Sequence, residues 1–201
     1  MDYLLLGFLT GLSLILAIGA QNVFVIEQGL KKQYVFIVCL ICSISDFLLI
    51  FLGIFLFQYL NNYFTPTVEL IFNILLLIFL LHFIWGKIRT KVSETSFNVD
   101  SKTNNLSSIL VKTLGFTFLN PHVYSDTVFF LGNFSKSFSQ MDKYYFGAGA
   151  AISSFLFFFI IGYLSKYFSK YLKSATVWKR INYLIILFMS ILALTVLMEI
   201  I

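Results

Sequence analysis

The stretch Val35-Phe36-Ile37-Val38-Cys39-Leu40-Ile41-Cys42-Ser43-Ile44-Ser45-Asp46-Phe47-Leu48-Leu49-Ile50-Phe51-Leu52-Gly53-Ile54-Phe55-Leu56-Phe57 decides the fold. Its only charged residue is Asp46. It matches the roughly 17–25 residues a helix needs to cross a hydrocarbon layer about 30 Å thick, at about 1.5 Å of rise per residue. A spanning strand would show short segments of alternating polarity and would need closure into a barrel, whereas this run is continuous. A transmembrane helix is the economical reading.

Similar runs recur along the chain. Punctuation by Lys, Asn, Pro and Asp places spans near residues 3–26, 35–58, 69–86, 109–131, 144–164 and 181–200. The expected fold is an all-α integral membrane protein of about six transmembrane helices, one membrane domain over residues 1–201. Composition agrees: 59% of residues are hydrophobic and 11% charged, against a charged share of about 25% in soluble domains. The chain opens Met1-Asp2-Tyr3 without a basic segment, and its first apolar run outlasts the roughly 7–15 residues of a signal-peptide core, so this run is expected to be kept as a span.

The net charge of +5 does not point to nucleic acid, because the basic residues lie between apolar runs and form no aromatic-interleaved patch. They report topology instead, since cytoplasmic loops retain Lys and Arg. Odd-numbered loops hold 12 of the 14 basic residues: Lys31 and Lys32; Lys87, Arg89, Lys91, Lys102 and Lys112; Lys166, Lys170, Lys173, Lys179 and Arg180. The fourth loop holds Lys136 and Lys143. Odd loops are therefore expected inside and both termini outside. The polar segment at about residues 87–108 reads as a cytoplasmic linker between halves 1–90 and 106–201. An odd number of spans per half inserts the two halves from opposite faces, as in inverted-repeat transporters. Gln21 and Glu27, and Asn120 and Asp126, share a six-residue spacing in the first span of each half. Tyr59, Tyr63, Tyr144, Tyr145, Tyr163, Tyr167 and Tyr171 cluster at span ends and suit interfacial anchoring.

An ionisable group inside a membrane costs about 2.5–3.5 kcal/mol on insertion scales, so it needs a partner, an aqueous cavity or a task. Asp46 stands midway along the second span, and Cys39, Cys42, Asp46 and Gly53 share a face while Phe47, Leu48, Phe51 and Leu52 are free to meet lipid or other helices. Either Asp46 fixes packing through a neighbouring hydroxyl or amide, or a proton or substrate cation balances its charge on binding. Cys39 and Cys42, spaced C-x-x-C within the helix without a second ligand pair, read as buried thiols rather than a metal or redox site.

In the first span Ala17-Ile18-Gly19-Ala20-Gln21-Asn22 places two amides after small residues. Gly19 weakens the helix, and the amides serve either a ligand and freed carbonyls or packing between helices. A straight helix puts Gln21 toward the inner end. In the fourth span Leu119-Asn120-Pro121-His122-Val123-Tyr124-Ser125-Asp126 interrupts the apolar pattern, and Pro121 disfavours helical geometry at Asn120. A broken helix is expected, either a simple kink or a half-helix end able to receive a carboxylate. Asp126 is a second candidate for a substrate ammonium or a proton; His122 and His82 read as structural. Gly7 and Gly11, and the small residues from Gly147 to Ser154, permit close helix packing, with a homo-oligomer interface open as another use. No nucleophile-base set, zinc spacing or phosphate loop is evident, so neither enzymatic activity nor a cofactor is expected.

The residues from Gly11 to Val25, then Gln28-Gly29-Leu30 and Ser45-Asp46, resemble the opening of the LysE/ArgO family of lysine and arginine exporters. Leu119 to Asp126 resembles that family's second signature, and Val177-Trp178-Lys179-Arg180-Ile181-Asn182 its entry into the last helix. The resemblance implies a secondary active exporter of arginine, lysine or a related amino acid in the inner membrane, coupled to a proton or another ion. An exporter of neutral amino acids or another small solute is the alternative on the same scaffold. Matching positions for the transport path are Gly19, Gln21, Asn22, Asp46, Asn120, Pro121 and Asp126. Glu27 stands where family members often carry a basic residue; near the inner interface it reads either as a substrate-attracting group or, the preferred expectation, as a solvated loop carboxylate.

Overall fold

A computed structural model of the chain describes residues 2–16, 19–60, 65–89, 105–169 and 175–200. The greater part of the expected linker, with Lys91 and Lys102, lies outside the described residues, as do Ala17, Ile18, Tyr63, Lys170, Tyr171 and Lys173.

The helices are α1 (Tyr3–Ile15), α2 (Ala20–Lys31), α3 (Val35–Leu60), α4 (Pro66–Arg89), α5 (Leu106–Phe118), α6 (Pro121–Tyr124), a π-helical stretch (Ser125–Phe130), α7 (Leu131–Phe134), α8 (Gln140–Phe168) and α9 (Ala175–Ile200). Side chains start several of them by accepting orphan backbone N–H groups. Asp2 accepts from Leu4 and Leu5, Asn105 from Ser107, and Ser139 from Asp142.

Among the described residues the protein is all-α, with four helices long and apolar enough to span a membrane, α3, α4, α8 and α9. The segment expected as a continuous first span is instead broken, with α1 and α2 meeting at 82°. Gly19 lies in the break, its backbone extended (φ −102°, ψ 179°) just ahead of α2. The pair still runs the length of α8. Gly7 packs on the backbone of Phe146, Gly11 on Ala150, and Gly29 on Gly162 and Ser165. From Phe146 to Ser165 a helix rises about 28 Å, close to the thickness of the hydrocarbon layer. The described residues thus hold four candidate spans, or five with the bent pair counted as one. The segment at 109–131 is also interrupted: α5 ends at Phe118 and Pro121 opens α6.

Two long helices organise the bundle. α3 and α8 are antiparallel, with Gly147 against Phe51 and Ile54, and Gly162 against Cys39. The broken α1–α2 pair lies along α8 in parallel, and the broken α5–α7 segment lies along α3, where Gly53 meets the backbone of Val128 and Gly132 meets Phe57. Such approaches need residues without a Cβ. Outside this centre α4 packs on α9, and the rings of Phe24, Phe79 and Phe83 converge on Phe116, tying α2, α4 and α5 together.

The outer faces are apolar. Leu48, Ile78, Ile160 and Leu194 are each more than half exposed, an arrangement suited to lipid and not to water. On α3 the expected division holds: Cys39, Cys42, Asp46 and Gly53 are buried, while Phe47, Leu48 and Leu52 are exposed. Tyr144, Tyr145, Tyr163 and Tyr167 are exposed near the ends of α8, and His82 is exposed on α4.

A Cβ at Gly7 would sit 1.9 Å from the Phe146 carbonyl oxygen, whereas one at Gly86 would have nothing within 4 Å. Overpacking of this kind costs about 1–3 kcal/mol or more. Gly7→Val is expected to abolish the monodisperse peak in fluorescence-detected size-exclusion chromatography, and Gly86→Ala to preserve it.

Candidate functional site

Breaking a helix within a membrane leaves peptide groups that lipid cannot satisfy. Each break here meets that demand with a side chain from the following helix. The Asn22 amide Nδ2 donates to the Ile15 carbonyl at the end of α1, at 3.1 Å. The Tyr124 hydroxyl donates to the Phe118 carbonyl at the end of α5, at 2.9 Å. The breaks also lie side by side, since a Cβ at Gly19 would stand 3.8 Å from Asn120 Nδ2.

Gly19 offers no side chain to cap the first turn of α2, and Pro121, at the first position of α6, has no N–H to satisfy. Two helix N-termini, with the positive ends of their dipoles, thus begin at the centre of the bundle. The straight-helix placement of Gln21 near the inner end of a span is corrected: the bend puts Gln21 and Asn22 in the first turn of α2, beside these breaks.

The breaks open onto a cavity of about 460 Å³, within the range of roughly 300–1,000 Å³ usual for small-molecule sites. Gly19, Gln21, Asn22, Asp46, Asn120 and Asp126 all line it. Pro121 begins the helix next to it, although its side chain lies outside the described residues, as does that of His122. Amides, carboxylates and hydroxyls from α2, α3, α8, α9 and the second break line the cavity, together with aliphatic side chains that include Leu76 and Leu80 of α4 and Leu192 and Val196 of α9.

Asp46 is anchored from across the bundle. The Ser154 hydroxyl of α8 donates to Asp46 Oδ2 at 2.7 Å, and both residues are buried. Asp46 Oδ1 and Gln21 Nε2 are buried and make no hydrogen bond to any described residue. One carboxylate oxygen is thus held while the other remains to be satisfied. Cys42 sits one turn away and is buried, and Cys39 donates to the Phe158 carbonyl at 3.2 Å, joining α3 to α8.

Several contributors escaped the sequence reading. Ser154 belongs to a run of small residues that signals packing, and nothing in its spacing marks it as a partner of Asp46. Tyr124 carried a hint, six residues beyond the carbonyl it caps. The π-helical stretch adds a wider turn that includes Asp126 and Thr127, and such turns recur at functional sites. Glu27 requires a correction: it is 1% exposed, not a solvated loop carboxylate. α2 continues through Lys31, which places Lys31 one turn beyond Glu27 and forms an ion pair.

The LysE type translocator family matches residues 12–200. The chain belongs to that family. Among relatives of this translocator, the arginine exporter protein ArgO of Pectobacterium atrosepticum is 33% identical over 184 residues, covering 89% of this chain and 88% of the relative. The protein of the same name from Salmonella paratyphi A is 31% identical, covering 96% and 92%; that of Klebsiella pneumoniae is 32% identical, covering 90% and 86%. No solved structure matches the translocator.

The two carbonyl caps give a test of how the breaks are held. Losing a partner for a buried acceptor costs about 1–3 kcal/mol, and each kcal/mol is worth about 2–4 °C in a chain of this size. Tyr124→Phe and Asn22→Ala are each expected to lower the unfolding midpoint of the detergent-solubilised protein by several degrees.

Proposed function

We propose that the chain exports basic amino acids, arginine and/or lysine, outward across the inner membrane, as a secondary active transporter. The observation that carries this reading is the charge of the central cavity: Asp46 and Asp126 line it and no Lys or Arg does, among the described residues. A zwitterion with a cationic side chain complements such a lining. The α-carboxylate belongs near the helix N-termini at Gly19 and Asn120, where N–H groups and dipoles favour negative charge. The cationic group belongs at Asp46, whose Ser154 bond leaves Oδ1 for it, with Asp126 as a second acceptor. Leu76, Leu80, Leu192 and Val196 suit the methylenes of the side chain, as long basic side chains keep their stems on apolar surface. The arginine exporters among its relatives support the same substrate class.

Coupling follows from the need to balance buried charge. When substrate leaves, a proton or another cation takes its place at Asp46 or Asp126, so release on one side is linked to ion entry from that side. The packing supports an inverted two-half design: each half contributes a broken helix that lies along the long helix of the other half. The clustering of basic residues in odd-numbered loops supports a topology with both termini outside. The same cavity suits a neutral amino acid if its apolar wall, rather than its carboxylates, sets selectivity.

Proteoliposomes loaded with labelled arginine, lysine or leucine separate these readings. Arginine or lysine is expected to leave under an imposed pH gradient and leucine is not. Efflux of leucine alone replaces the basic-substrate reading with the neutral one. Asp46→Asn is expected to lower arginine efflux by at least about tenfold while the protein keeps its chromatographic profile, since a hydrogen bond between charged groups is worth about 1.5–3 kcal/mol. Ser154→Ala is expected to cost less, about three- to tenfold. Added to Asp46→Asn it should cost almost nothing more, because its contribution passes through that carboxylate.

A further inference from the structure

A second concavity lies apart from the central cavity. It is a groove of about 410 Å³ between α2 and α9, walled by Ile26 and Leu30 on one side and by Ile181, Leu184, Phe188 and Ile191 on the other. Every described residue lining it is apolar. Along α9 it extends from Ile181 to Ile191, about 15 Å of helix, which is half the thickness of the hydrocarbon layer. Its depth is therefore that of one leaflet.

One end of the groove is basic. Leu30 is followed by Lys31 and Lys32, and Ile181 is preceded by Lys179 and Arg180. Lys31 is engaged by Glu27. Lys32, Lys179 and Arg180 are exposed and form no ion pair among the described residues. Lys32 is fixed at the end of α2 by a left-handed backbone (φ 57°) whose N–H returns to the last turn. The packing of Gly29 on Ser165 sets the end of α8, with Lys166, on the same face. A leaflet-deep apolar slot that opens on a group of cations has the shape and charge of a phospholipid.

We propose that this groove binds an anionic phospholipid, one acyl chain lying between α2 and α9 and the phosphate-bearing headgroup held by Lys32, Lys179 and Arg180. Basic residues at the membrane surface attract anionic headgroups, and the attraction is additive enough that removing two weakens binding by tenfold or more, on the order of magnitude set by surface electrostatics. The position gives the lipid a structural consequence. Gln21 and Asn22 of α2, and Leu192 and Val196 of α9, line the central cavity immediately beyond the groove. A bound acyl chain braces these two cavity walls against each other.

The test is thermal unfolding of the full-length, detergent-solubilised protein titrated with phosphatidylglycerol, with phosphatidylcholine of the same acyl chains and inorganic phosphate alone in parallel. Phosphatidylglycerol is expected to raise the unfolding midpoint, and the other two are not. Lys179→Gln combined with Arg180→Gln should raise the phosphatidylglycerol concentration needed at least tenfold. Leu184→Trp, at a position more than half exposed, should fill the groove and suppress the shift without loss of fold. Equal stabilisation by phosphatidylcholine overturns the headgroup assignment, and equal stabilisation by phosphate overturns the acyl-chain groove. An unchanged response in both variants overturns the site itself.

Discussion

A peptide group in hydrocarbon has no partner except another part of the protein. This constraint governs the centre of the molecule. Gly19 and Asn120 interrupt helices inside the bundle, which exposes carbonyls and N–H groups where water is scarce. The protein answers by capping one freed carbonyl at each break with a side chain from the next helix, Asn22 for Ile15 and Tyr124 for Phe118, and by setting the breaks against one another. The unwound backbone then borders a cavity instead of lipid. A polar cavity is the by-product of satisfying the backbone.

The long helices make that arrangement possible. α3 and α8 cross in antiparallel fashion, and each carries the broken helix of the opposite half along its length. Close approach is bought with small residues, as Gly7, Gly53 and Gly149 show by leaving no room for a Cβ. Where α3 and α8 meet, Ser154 holds one oxygen of Asp46. The contact ties a buried charge to the helix that also supports α1 and α2.

Much of this was legible in the residues. Long apolar runs give membrane helices because no other element satisfies its own backbone in lipid. Asp46 among Ile, Leu and Phe marked an interior face, and Pro121 after Asn120 marked a break because proline has no N–H and crowds the preceding residue. The break at Gly19 was harder to see. Glycine weakens a helix without ending it, and only packing along α8 shows that the chain turns there by 82°. Glu27 was misplaced for a related reason: a carboxylate after an apolar run looks like a loop residue until the helix is seen to continue to Lys31.

The sequence by itself determined the solvent, the helical class, the residues that must be hidden from lipid and the family signatures. These follow from local chemistry, in which every apolar run, charge and proline has a meaning set by its neighbours in the chain. Only the tertiary structure decided what those residues meet. The Ser154–Asp46 bond joins positions 108 residues apart, and the apposition of Gly19 with Asn120 joins separate halves. The basic mouth of the groove brings the end of α2 to the start of α9. Such pairings depend on how helices with small-residue faces nest together, and helix nesting is set by the shapes of both partners at once.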